Sequence, residues 1–265
     1  MPPVHDLIRA NNALWSVLYY DELIETPAYQ LSFLAEADAG FYNCAQAVTC
    51  ADAGVLAEIE AYYRDRGVMP AIYVDPAGPQ DFAVWLAARG WVPVAEEREN
   101  CHLLDLARPS RWPDPRAVLK IAPERVTIVH LAGPQDPLLD AFVAVDAAAS
   151  ELPPAIRTKL ARNLATRRRD GIEVHCFVAL VDGVVASTRL VGFAGELALY
   201  AEGGTLVEHR RCGLYAYLML EGLQFARAAG KRHAFQTAGH AALSNPAVLA
   251  LGFERIFSRA YHQLR

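Results

Sequence analysis

The sequence predicts an α/β fold in which helices flank a mixed sheet, arranged as two halves that repeat. Three observations predict it. In the second half, apolar β-branched runs alternate with segments of helical periodicity. Within it, "VHCFVALVDGVVASTRLVGF" places two strand-like runs on either side of Asp182-Gly183, the dipeptide favoured in a two-residue hairpin loop. Finally, the two halves end alike: a helix closing at a glycine, a short apolar strand, a short helix, then a glycine before an aromatic. Gly67 and Gly90-Trp91 are 23 positions apart, and Gly230 and Gly252-Phe253 are 22 apart. One such match is ordinary αβ punctuation, but two in the same order point to a duplicated fold.

In the second half, "RVTIVHL" (125–131) reads as a strand. "DPLLDAFVAVDAAAS" spaces Leu138, Leu139, Phe142, Val143 and Val145 as one face of a helix. "PPAIRTKLARNLATRRRDG" opens on prolines suited to a first helical turn and ends basic before Gly171. After the hairpin, "GELALYAEGGTLV" continues as a strand containing Gly203-Gly204, where glycine marks a bulge or a close backbone approach by a ligand. A helix of about 17 residues follows, with Tyr217, Leu218, Leu220 and Phe225 on its core face, and then the strand "RHAFQTA". The order is β-α-α-β-β-β-α-β-α-β. In "ARPSRWPDPRAVLKIAPERV" four prolines (109, 113, 115 and 123) break helices and central strands. That stretch, 107–124, is predicted as a linker between domains at 1–106 and 125–265.

The composition supports a packed core: 53% of the 265 residues are hydrophobic and 21% charged. A net charge of −5 argues against nucleic acid or an anionic membrane as partner. The five cysteines (44, 50, 101, 176 and 212) form no C-x-x-C pair. The eight histidines have no metal-ligand spacing, so no metal is expected. The start "MPPVHDLIRANNALW" lacks the features of a signal peptide, and no apolar run reaches the roughly 20 residues of a spanning helix. Reduced thiols and a cytoplasmic location are the expectation.

"EHRRCGLYAYL" (208–218) places Arg210, Arg211, Cys212 and Gly213 at the mouth of the long helix. First-turn N–H groups there have no partner within the helix, and the dipole makes that end positive. A phosphate is held by such donors, and glycine lets it come close. The stretch has neither the Gly-Lys-Ser/Thr of a Walker loop nor G-x-G-x-x-G. The plainer account is a solvated basic turn.

"TLVEHRRCGLYAYLMLEGLQFARAAG" followed by "SNPAVLALGFE" resembles the core of the GNAT N-acyltransferase superfamily. Its members carry a strand, then Q/R-x-x-G-x-G/A opening a helix, then an Asn-containing short helix before Leu-Gly-Phe. The resemblance covers most of residues 125–265. The first half resembles a degenerate copy, as in tandem GNAT proteins, and lacks the loop motif at its corresponding "CADAGVLAEIEAYY". The resemblance implies two mixed, mostly antiparallel sheets. It also implies an acyl group moved from acetyl-CoA or another acyl-CoA to a primary amine, on a small molecule or a protein, by direct attack on the thioester. The pyrophosphate would rest on the amides of Arg210, Arg211, Cys212, Gly213, Leu214 and Tyr215. The pantetheine would lie along Gly203, Gly204 and Thr205, with Asn245 near it. A homodimer is left open.

Two departures stand out. Tyr215 replaces the last Gly/Ala of the motif, and "NPAVLALGF" lacks the tyrosine that many members use to protonate the thiolate. The alternative is therefore a non-catalytic acyl-CoA-binding or regulatory protein, and a third reading is a structural module without a nucleotide ligand. Glu202 is the candidate base for the incoming ammonium, against a surface glutamate in a strand pair. Cys212 as a nucleophile, or His209 and His240 as proton relays, compete with ordinary filler and surface roles.

Overall fold

The computed structural model describes the chain except residues 38–41, 109–111, 167, 168, 240, 241 and 243, and the side chains of 95–97. His240, Pro109 and the arginines at 167 and 168 lie outside the described residues. In chain order the elements are α1 (Val4–Leu18), β1 (Glu22–Glu25), β2 (Gln30–Phe33), β3 (Ala45–Gln46), α2 (Ala53–Arg64), β4 (Ala71–Val74), α3 (Phe82–Ala87), β5 (Trp91–Asp105), β6 (Val126–His130), α4 (Leu139–Ser150), α5 (Pro154–Thr166), β7 (Ile172–Val181), β8 (Val184–Ala194), β9 (Leu197–Tyr200), α6 (Leu214–Ala228), β10 (His233–Gly239), α7 (Asn245–Ala250) and β11 (Glu254–Leu264). Two compact units divide the chain. The first holds Met1–Cys101, Ala238–Ala242 and Arg255–Arg265; the second holds His102–Thr237 and Leu243–Glu254.

In the first unit β1 and β2 are antiparallel, β2 pairs β3 antiparallel, and β3 pairs β4 parallel at Ala45 and Ile72. β11 runs antiparallel to β4, with Tyr261 opposite Tyr73. Leu31, Leu56, Ile59, Tyr63, Phe82 and Trp91 form its main core. The units are drawn differently from the expected domains, because the last strand, read as the end of the second copy, groups with the first unit. Its aromatic and basic side chains explain this. Tyr261 packs edge-on against Tyr73, and Arg259, only 3% exposed, bonds Glu99 at 2.6 Å and Gln46 at 2.7 Å.

In the second unit β6, β7, β8 and β9 are successive antiparallel neighbours, and β9 pairs β10 parallel. The β7–β8 loop is Asp182-Gly183, with φ of 52° and 84°. Positive φ at both positions gives the turn whose twist matches the flanking strands. Side chains alternate along β8. Thr188 reaches Asp146 of α4, whereas Val191 and Arg189 lie against Gly222 and Tyr215 of α6. Helices α4 and α6 therefore cover opposite faces of this sheet. Leu218, Leu220 and Leu223 of α6 are fully buried in one core with Val191, Ala198 and Ala234.

The proline-rich stretch is not a free connector. Pro115–Val118 forms a 3-10 turn, and Trp112, Val118, Leu119 and Ile121 pack against the second unit's core. Trp112 donates its indole N–H to the Leu251 carbonyl at 3.2 Å, and the Arg227 guanidinium lies over its ring. Proline density excluded a regular element here, but these apolar side chains still had a face to bury.

Candidate functional site

The start of α6 has the features expected of an anion cradle. Arg211 takes φ +64° and Gly213 φ +85°, so the chain turns through the left-handed region twice before the helix begins at Leu214. Gly213 is the N-cap and supplies no side-chain oxygen. Among the described residues, nothing accepts a hydrogen bond from the N–H groups of residues 211–216. The next amide, Tyr217, donates to the Gly213 carbonyl at 3.0 Å and begins the helical ladder. Arg211 is exposed, and Cys212 and Gly213 are half-buried.

One neighbour holds the loop in shape. The Lys120 N–H donates to the Cys212 carbonyl at 3.0 Å. The Val118 carbonyl oxygen stands where a Cβ on Gly213 would be. Glycine is therefore required at 213 for two reasons, its φ and this contact.

Arg210 departs from its expected role. Its N–H donates to the Val207 carbonyl at 3.2 Å. Its guanidinium donates to the carbonyls of Thr205 and Ala149, at 3.3 and 3.5 Å. It pins the loop to the residues around Thr205, which leaves Arg211 as the cation beside the open amides. The expected strand around Gly203-Gly204 also differs. β9 ends at Tyr200 and its parallel pairing with β10 stops at Tyr200–Gln236. Beyond that point the chain stays on β8 in an irregular register. Leu190 donates to the Glu202 carbonyl at 2.7 Å and accepts from the Ala201 N–H at 3.2 Å, and Thr188 donates to the Gly204 carbonyl at 2.9 Å. The glycines answer to packing inside the protein. A Cβ on Gly203 would stand 2.8 Å from Arg189 Cζ, and one on Gly204 would collide with Ala149 Cβ. Among the described residues, Gly203 has no partner for its own N–H and C=O. Thr205 shares a hydroxyl hydrogen bond with Ser187 at 2.8 Å. Asn245 opens α7, half-buried.

Beside these glycines lies a cluster of buried polar side chains that sequence reasoning reached only through Glu202. Asp146 is fully buried, Arg189 is 1% exposed, Gln236 4% and Glu202 9%. Thr188 donates to Asp146 at 3.2 Å. Burial pushes the Asp146 carboxyl well above the usual range, and the charge of neighbouring Glu202 and a hydrogen bond between the two push it further. Burial and the neighbouring carboxylate both favour the neutral form of Asp146. Arg189 donates through Nη1 to the Ala201 carbonyl at 3.1 Å and lies over the Tyr215 ring, whose hydroxyl accepts from Gln236 Nε2 at 3.1 Å. The sequence carried a faint signal for the missed members: an aspartate inside "AFVAVDAAAS" and an arginine inside "VVASTRLVGF", each within an apolar run.

The first unit repeats the strand–loop–helix–strand order with β3, α2 and β4, but its helix start is closed. The Asp52 carboxylate accepts from the N–H groups of Gly54 and Val55, at 2.8 and 3.0 Å. It fills the donors and brings a negative charge to the end where α6 offers open amides.

No family model matches the sequence, and no curated protein matches it significantly. Solved structures do share the fold. A GCN5-related N-acetyltransferase from Kribbella flavida matches with a TM-score of 0.67 at 17% identity, covering 99% of this chain and 96% of that one. A tandem GNAT protein from the clavulanic acid biosynthesis pathway matches with a TM-score of 0.64 at 23% identity, over 89% and 77%. A GCN5-related N-acetyltransferase from Sphaerobacter thermophilus gives 0.62 at 15%, over 79% and 66%. The chain has the fold of these acetyltransferases.

Proposed function

We propose that this chain, which has the GNAT fold, is an N-acyltransferase that takes acetyl-CoA or another acyl-CoA and acylates a primary amine, with its working site in the second unit. The observation that carries this reading is the contrast between the two helix starts. In the second unit the amides of residues 211–216 are open at a glycine N-cap beside exposed Arg211; in the first unit Asp52 fills the same position. This donor set fits a diphosphate: several backbone N–H groups, a positive helix end, a cation and, among the described residues, no carboxylate accepting from those amides. Bound acyl-CoA supplies a thioester carbonyl for the amine to attack.

The chain's own groups then divide the work. Residues 211–216 and Arg211 hold the diphosphate. Gly203, whose N–H and C=O have no partner among the described residues, offers strand-like hydrogen bonds to an amide-bearing arm. Glu202 accepts the proton that the incoming ammonium must lose, and neutral Asp146 orients it through their shared hydrogen bond. Holding amine and thioester together in one site supplies much of the acceleration. The acceptor is a small-molecule amine or a protein amino group.

Release of free thiol when the full chain is mixed with acetyl-CoA and a panel of primary amines tests the proposal. Amine-dependent thiol release supports it, and no release with any amine counts against it. Thermal stabilisation by CoA esters without release supports the second reading, a CoA-binding protein without turnover. That reading is favoured by Asn245–Ala250, which carries no tyrosine to protonate a departing thiolate.

A further inference from the structure

Arg189 carries a feature that acyl transfer from acetyl-CoA does not use. Its side chain is 1% exposed, yet among the described residues neither Nε nor Nη2 has a hydrogen-bond partner. These two donors form one edge of the guanidinium, the edge whose parallel N–H bonds match the two oxygens of a carboxylate. The same chain uses that edge on carboxylates elsewhere. Arg125 sets Nε and Nη2 on Asp182, and Arg259 sets Nε and Nη2 on Glu99. At Arg189, among the described residues, Nη1 alone is occupied, by the Ala201 carbonyl.

The guanidinium is held in place. It stacks on the Tyr215 ring, with Cζ 4.5 Å from the centroid, and Tyr215 is fixed in turn by Gln236. Gly203 leaves it room, since a Cβ there would be 2.9 Å from Nε. Burying a guanidinium with two unfilled donors is costly, and a ligand that fills them recovers that cost. Gly203 lies just beyond the point where β9 and β10 cease to pair, so Arg189 faces the segment along which the acyl-bearing arm is proposed to lie.

We propose that Arg189 is the specificity-determining residue of this site, and that one of the two reactants carries a carboxylate which its Nε–Nη2 edge grips. This rests on the acyl-transfer reading above. Two sources share that chemistry: a dicarboxylic acyl group bound as its mono-thioester, and an amine acceptor that is itself a carboxylic acid. In either case the amine nitrogen forms its bond to the thioester carbon, the C–S bond breaks, and the thiol leaves with a proton. The carboxylate at Arg189 is unchanged.

The experiment uses the full chain and reads binding and thiol release separately. Free CoA, acetyl-CoA and succinyl-CoA are compared by calorimetry. Amino acids are then compared with their carboxamides as acceptors. A preference of about tenfold or more for the carboxylate form in one arm is expected, as for a hydrogen-bonded charge. Arg189→Gln abolishes it while free CoA binds within about twofold of wild type. Arg189→Lys, which keeps the charge and loses the fork, restores part of it. Should Arg189→Gln fail to fold, the wild-type selectivity and Arg189→Lys decide the matter. Equal use of carboxylate and neutral forms by the wild-type chain in both arms overturns this inference alone. Failure to bind CoA or any CoA ester overturns the acyl-transfer reading, and this inference with it.

Discussion

Glu202 and Asp146 form a carboxyl pair inside the second unit, on the segment after β9 and on α4, with Asp146 fully buried and its neutral form favoured by burial and by its partner. In the proposed mechanism Glu202 takes the proton and Asp146 keeps it aligned. Such a pair divides acid and base roles by environment, because two adjacent buried carboxyls do not both ionise at ordinary pH.

Glu202→Gln removes the proposed proton acceptor and preserves shape. Turnover is expected to fall about 100-fold, with KM for acyl-CoA changed less than about twofold, because a general base contributes in that range. Steady-state thiol release measures both constants, and unchanged turnover would remove Glu202 from the mechanism.

The Asp146 carboxyl has a folded-state pKa above its unfolded value of 3.8. Its contribution to stability is therefore complete below about pH 4 and is lost as pH rises toward the raised pKa. Asp146→Asn stays neutral throughout. The difference in melting temperature between Asp146→Asn and wild type should shift in favour of the variant from about pH 5 to about pH 8. Thermal melts across that range check it; a difference independent of pH would contradict a neutral Asp146.

Gly213→Ala forces a side chain into φ +85° and into the Val118 carbonyl. A loss of about 1–3 kcal/mol is expected from the strained backbone, more if the Val118 segment cannot move. CoA affinity should fall at least about tenfold, as the amide geometry is lost. Chemical denaturation and calorimetry separate the two effects.

Asp52→Ala tests the opposite case in the first unit. It removes an N-cap and should cost about 1 kcal/mol of stability. Acyl-CoA affinity should not change, because the proposed cradle is on α6.

Arg259→Met leaves Glu99 and Asp75 buried without their cation. A destabilisation of about 3–5 kcal/mol is expected, since an uncompensated buried charge costs far more than the ion pair contributes. A change under about 1 kcal/mol in urea unfolding would show that Glu99 and Asp75 find another partner.

The sequence by itself determined the order of elements in the second half and the glycine at the start of α6. Asp182-Gly183 specified its hairpin because both positions need positive φ, and Gly67, Gly90, Gly230 and Gly252 punctuated both halves for the same reason. Gly213 marked a helix start with no capping side chain, whereas the Asp52 cap on α2 was recognised only in the structure, although capping is local chemistry within three residues. Tertiary structure alone decided the rest. Arg210 turned to Thr205 and Ala149, Trp112 and Val118 anchored the proline-rich stretch, and the last strand grouped with the first unit. It also brought Asp146, Arg189 and Gln236 around Gly203 from a helix and two strands. Residues 90 positions apart meet only when helices and sheet pack, and a period of 2 or 3.6 says which face a side chain takes but not what waits there.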